Sequence, residues 1–178
     1  EYMHAQNMFD LRLLTTYGWD KSQLEPISRL PGIKEAEGVF YSDLIAQCQG
    51  GDESAVYRFY TIPEKINRLV LLEGRMPQAP DECLADGFHN GKEVIGKTVS
   101  MTDDNSDTAL DQLTQRKFTI VGLVSTPLYM DTNRGNTAVG SGRITNYFFV
   151  PEEAFDVAYY TEIHATIEGD YTAYTQLY

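Results

Sequence analysis

The acidic run Asp103-Asp104-Asn105-Ser106-Asp107 sets oxygen ligands at the first, third and fifth positions of a loop, which is how a calcium-binding EF-hand begins. The pattern then stops. Thr108 stands where the sharp turn takes glycine, and Thr114 stands where a bidentate glutamate closes the site. The run reads as a solvated loop, with a calcium site as the alternative. His4, His89 and His164 occur in unlike contexts and without the i, i+4 spacing that lets two imidazoles share one metal, so metal catalysis has no support. Ser42 (beside Asp43), Ser125 and Ser141 carry hydroxyls, but none sits in a G-x-S-x-G elbow or an S-x-x-K pair. Gly140-Ser141-Gly142-Arg143 comes nearest and reads as a flexible glycine loop. No phosphate-cradling G-x-x-x-x-G-K-[ST] is present, so any ATP that drives this protein is bound elsewhere, and no cofactor is expected.

Interaction chemistry is the remaining possibility. The 12 Tyr and 8 Phe fall mostly in strand patterns, where aromatic rings suit a half-buried pleated face, so they read first as core. Tyr129-Met130 and the helically spaced Tyr171, Tyr174 and Tyr178 are exceptions, beside loops or on a helix that would continue past the last residue. The stretch Met130 to Gly142 is rich in small residues and reads as a mobile loop, and Thr102 to Arg116 reads as an exposed loop or hairpin tip. Tyr129, Met130, Arg134, Asp103 and Asp104 are accordingly the expected contacts for a partner. Cys48 and Cys83 match no zinc or redox spacing; they read as small apolar side chains, with an extracellular disulfide left open.

The elements that must position these groups follow from periodicity. Phe9, Leu11, Leu13 and Thr15 alternate as a half-buried strand ending at Tyr17-Gly18. Asp20 caps a helix with Leu24, Ile27 and Leu30 on one face, stopped by Pro31-Gly32, and Ile33 to Leu44 returns to strand. This opening has the size of a split βαβ unit. A polar break at Gln49 to Glu53 marks a boundary, after which strands are expected at Val56 to Ile62, Cys83 to Ala85, Val94 to Val99, Lys117 to Val124, Asn146 to Val150 and Tyr160 to Glu168. Pro63 to Leu72 reads as helical or looped, and Pro151 begins a short helix. No run of about 18 apolar residues crosses a bilayer. With 14 Lys+Arg against 26 Asp+Glu, the formal charge of −12 repels nucleic-acid phosphates, so nucleic acid is excluded as a partner.

Taken in order, several of these pieces resemble one family. Asp10 to Gly18, the helix ending at Leu30-Pro31-Gly32-Ile33, and Glu37-Gly38-Val39 resemble the extracellular region after the first membrane helix of MacB/FtsX-like ABC-transporter permeases. So do Leu72-Glu73-Gly74-Arg75-Met76-Pro77 with Asp81-Glu82, then Ile95 to Val99, then Phe118 to Val124. The resemblance implies an α+β fold: a porter-like βαβ lobe from the chain ends, residues 1–49 plus 160–178, with an inserted, mainly β, Sabre-like lobe over 50–159. It also implies a non-enzymatic domain at the outer face of the cell membrane, coupling ATP hydrolysis inside to movement outside. The implied partners are a cytoplasmic ABC ATPase subunit, a second permease copy or half, and an envelope protein or exported cargo. A free-standing extracellular binding module or adhesin is the competing expectation, and a hydrolase with paired carboxylates is a third.

Overall fold

The computed structural model describes residues 5–51, 53–129 and 134–169, and its architecture is mostly β with short helices, an α+β domain. The strands are β1 (Leu11–Asp20), β2 (Ile33–Val39), β3 (Tyr41–Cys48), β4 (Ala55–Thr61), β5 (Val70–Gly74), β6 (Glu82–Asp86), β7 (Thr98–Met101), β8 (Lys117–Ser125), β9 (Asn146–Val150) and β10 (Tyr159–Ile167). They form a three-stranded sheet ordered β1-β10-β2 and a seven-stranded sheet ordered β5-β8-β6-β9-β4-β3-β7. An additional β7–β8 pairing closes strands β8, β6, β9, β4, β3 and β7 into a ring, a small barrel carrying β5 on its rim.

The small sheet is a split β–helix–β unit, because β1 and β2 both run antiparallel to β10, which lies between them. Asp20 caps the turn Lys21–Gln23, accepting from the Ser22 amide, and the helix Leu24–Ser28 follows. Leu24 and Ile27 pack with Ile163, Ala165, Ala36, Leu13 and Trp19, a core of alternate strand residues under one helical face. Leu30, expected on that face, is instead 54% exposed, since the helix ends at Ser28.

The barrel interior is filled by Phe59, Phe118, Phe148, Leu44, Val99 and Cys83, all nearly fully buried. β9 is buried along its whole length, as a central strand paired to β4 and β6 must be. In β8, Gly122 sits where a Cβ would meet the Arg75 carbonyl at 2.5 Å, so the chain entering from β5 closes on bare backbone.

Several expectations are corrected. The chain leaves the small sheet at Phe40, not at the break Gln49 to Glu53. β3 already pairs with β4 and β7, so that break lies between two strands of the barrel sheet, and the expected boundary at residue 49 does not separate the sheets. Val70 to Leu72, expected in a helical or looped stretch, belongs to β5. Val94 to Val99 divides into a 3-10 turn, Lys92–Val94, and the start of β7. Thr102 to Arg116 is not wholly exposed: Ser106 caps a short helix, Asp107–Leu110, and Leu113 is buried against Phe155. Tyr171, Tyr174, Tyr178, Met130 and His4 lie outside the described residues. Among the described residues, no helix is long and apolar enough to cross a membrane.

Candidate functional site between the two sheets

Alternation in β10 sends Ile163 and Ala165 toward the helix, so Glu162, His164 and Thr166 face the opposite way. A polar strand face of this kind ordinarily meets water. Here it is covered, and these three residues are 2%, 2% and 5% exposed. The cover is the amino-terminal segment around Asn7 and Phe9, together with the loop joining β4 to β5.

That loop is stitched down by two side chains. The Glu37 carboxylate on β2 accepts from the backbone N–H groups of Glu64 (2.7 Å), Lys65 (3.2 Å) and Ile66 (2.7 Å), a nest of donors for one anion. Asn67, 1% exposed and left-handed at φ 56°, donates from Nδ2 to His164 Nδ1 at 2.8 Å and accepts from the Phe9 amide at 3.1 Å. An amide nitrogen can only donate, so Nδ1 of His164 is the acceptor and the ring proton of the neutral form sits on Nε2. Nε2 is buried without a hydrogen bond, as is Thr166 Oγ1. Glu162 Oε1 lies 3.4 Å from it, within ion-pair range but outside hydrogen-bond geometry. The Phe9 ring lies 4.7 Å from the imidazole.

Beside this joint opens a cleft of about 500 Å³, lined by Met8, Phe9, Arg12, Glu162 and His164 from the small-sheet side and by Arg58, Tyr60, Leu128 and Tyr129 from the barrel side. Arg12 donates from Nε to Glu162. Burial alone would raise the Glu162 carboxyl, but the His164 ring 3.4 Å away and the Arg12 guanidinium bonded to it outweigh burial and hold the group below the usual carboxylate range. Arg58 forms a two-pronged bond to Asp43, at 2.6 and 2.8 Å, and stacks 4.2 Å from the Tyr41 ring centroid.

From the cleft a buried polar chain runs into the barrel. The Tyr60 and Tyr129 hydroxyls are 2.8 Å apart, Tyr129 stacks on Tyr147 at 4.7 Å, and the Tyr147 hydroxyl donates to Asp86 at 3.0 Å. Asp86, fully buried, also takes a bond from Arg134 at 2.6 Å and from the Phe88 amide at 2.9 Å. Burial pushes its carboxyl up, yet those bonds, with further ones from His89 and Tyr147, win and hold it below the ordinary value. Burial, then the neighbouring charge, keeps the Tyr60 and Tyr147 phenols protonated far above neutral pH.

The expected partner contacts therefore separate. Asp103 and Asp104 are exposed, Tyr129 is half-buried in the cleft wall, and Arg134 is 4% exposed, an internal anchor and not part of an open loop. The mobile loop expected over Met130 to Gly142 is, at residues 134–142, held by the Asp86 bond and an Asn136–Arg143 bridge. Asn67, Arg12 and Arg58 were not singled out as site residues by sequence, His164 was weighed only as a metal ligand, and Glu37 entered only with the family resemblance. The one available signal was the alternation Glu162, His164, Thr166 against Ile163, Ala165, Ile167, which shows a polar face but not that it is covered. Cys48 and Cys83 are both free thiols.

No protein-family model matches the chain, and no curated protein matches it by sequence. Solved structures do match. The periplasmic region of MacB from Actinobacillus actinomycetemcomitans superposes with a TM-score of 0.51 at 16% identity, covering 87% of this chain and 67% of that one. The extracellular domain of the noncanonic ABC-type transporter YknZ from Gram-positive bacteria gives 0.51 at 10% identity, covering 91% and 82%. A domain of a putative permease protein from Porphyromonas gingivalis gives 0.50 at 12% identity, covering 87% and 65%. In its fold, this chain resembles the periplasmic or extracellular domain of ABC-transporter permeases of the MacB kind.

Proposed function

We propose that the chain is the extracellular domain of an ABC-transporter permease and is not itself an enzyme. The observation that carries this reading is the fold likeness to permease domains over 87% to 91% of the chain. The small sheet is compatible with it: β1 starts and β10 finishes at the same end of that sheet, where Ile167 donates its amide to the Asp10 carboxylate at 2.9 Å. A domain inserted between two membrane helices needs that arrangement.

On this reading the small sheet is the porter-like lobe, moved by the membrane helices, and the barrel is the inserted Sabre-like lobe. A cytoplasmic ABC ATPase and a second permease copy or half work with it, and ATP hydrolysis inside shifts the lobes outside to move cargo or signal to an envelope protein. The joint at Glu37, Asn67 and His164 transmits that movement, because buried polar contacts hold one register and have no nearby alternative of equal energy. Exposed Asp103 and Asp104 are the proposed partner contacts, with Tyr129 at the cleft mouth.

Fractionation of native cells tests the proposal. The expected result is recovery with the membrane, cleavage by protease added outside intact cells, and co-purification with a nucleotide-binding ATPase. Recovery from the medium with no membrane association would overturn it and favour a free-standing binding module or adhesin.

A further inference from the structure

The interlobe cleft contains donors that the fold leaves unused. His164 lines the cleft, and its buried Nε2 makes no hydrogen bond, with Glu162 Oε1 3.4 Å away; a buried donor left so is costly unless something completes it. Arg12 uses only its Nε, on Glu162; its terminal amino groups have no partner among the described residues, and its side chain is 44% exposed. Arg58 reaches the same cleft from the barrel beside Tyr41 and Tyr60, and Arg12 lies within electrostatic reach of the same two rings. Two guanidinium groups and one imidazole thus line one cleft from both lobes, Arg58 with its Nε and one terminal nitrogen already on Asp43, next to an apolar wall of Met8, Phe9, Pro127 and Leu128.

We propose that this cleft binds a single carboxylate attached to an apolar body, with the carboxylate on the free terminal nitrogens of Arg12 beside His164, the charge of Arg58 facing it from the barrel, and the body against Met8, Phe9, Pro127 and Leu128. A guanidinium fork matches the two oxygens of a carboxylate. The ionised Glu162 in the same wall disfavours a second negative charge, which selects a carboxylate over a phosphate monoester. The volume of about 500 Å³ falls in the range of small-ligand sites. A peptide C-terminus and a free fatty acid share this chemistry. Because Arg12 belongs to the small sheet and Arg58 to the barrel, the occupant ties the lobes together. The inference concerns groups within this chain alone and stands apart from the permease reading.

Calorimetric titration of the 178-residue chain with acetyl-Leu-Phe-Leu as the free acid and as the amide, and with decanoate and decanol, tests it. The acid form is expected to bind at least about ten-fold more tightly than its uncharged counterpart, the loss of one charge-assisted bond. Binding of the peptide acid alone identifies a peptide C-terminus, and binding of decanoate alone identifies a fatty acid; either supports the site. Arg12→Lys keeps a positive charge beside Glu162 but removes the fork. It is expected to weaken the acid about ten-fold while leaving the thermal midpoint unchanged. Lys97→Gln, outside the cleft, is expected to change nothing, and the His164 ring nitrogen resonances are expected to shift on titration. Equal affinity for acid and uncharged forms, no binding of either acid up to about 10 mM, or an Arg12→Lys variant that binds as the parent does would each overturn the proposal.

Discussion

Replacing Asn67 by alanine removes the side chain that holds the β4–β5 loop against the small sheet. Two bonds are lost, the buried one to His164 Nδ1 and the half-buried one from the Phe9 amide. At about 1–3 kcal/mol for the buried imidazole left unsatisfied and about 1 kcal/mol for the half-buried amide, the expected cost is about 2–4 kcal/mol. The left-handed backbone at φ 56° adds about 1 kcal/mol for alanine, because a Cβ is crowded there, while glycine adopts it freely. Asn67→Ala should therefore lower stability by about 4 kcal/mol and Asn67→Gly by about 3, a large share of the 5–15 kcal/mol typical of a domain. Urea unfolding measures both. Amide exchange adds the location: β1 and β10 should lose protection before the barrel strands β4 and β9, since the lost bonds sit at the joint. A cost below about 1 kcal/mol for Asn67→Ala, or a glycine variant less stable than the alanine one, would refute the account of the joint.

Asp86→Ala takes the carboxylate from the buried Arg134, and is expected to cost about 3 kcal/mol or more in urea unfolding. The Asp86 carboxyl is held below its ordinary 3.8, so its contribution is present above that value and is lost as pH falls toward the lower folded value. In Asp86→Asn the acid-induced loss over that window should shrink. Glu82, held down to about 2 by Arg75 and then by the Gln78 amide, should titrate near that value by NMR, and Arg75→Ala should return it toward 4.5. Burial pushes the Cys83 thiol well up and, less strongly, Cys48, so a thiol reagent should leave Cys83 unreacted in the native chain and label both after unfolding.

Local periodicity carried much of the secondary structure, because side-chain alternation is a property of neighbours in sequence. The segments Val56 to Ile62 and Lys117 to Val124, and the short apolar run from Tyr147 to Val150, all became strands, and Asp20 supplies the side-chain oxygen expected to begin a helical turn. The family resemblance was legible in the order of those pieces. Pairing was not, since nothing between residues near in sequence says that β7 meets β8 and closes the barrel, or that the chain changes sheet at Phe40. The same limit hid the site. Glu162, His164 and Thr166 read as an ordinary solvent face until the β4–β5 loop, separated by about a hundred residues, lies over them and turns polarity into a set of required partners. Arg134 shows the reverse: a charged residue in a glycine-rich stretch looks exposed, and the buried Asp86 opposite it supplies the opposite charge that burial requires. Sequence determined which groups are available and which way each strand alternates; the tertiary structure alone decided which of those faces is dry, because burial depends on what the distant chain brings to cover it.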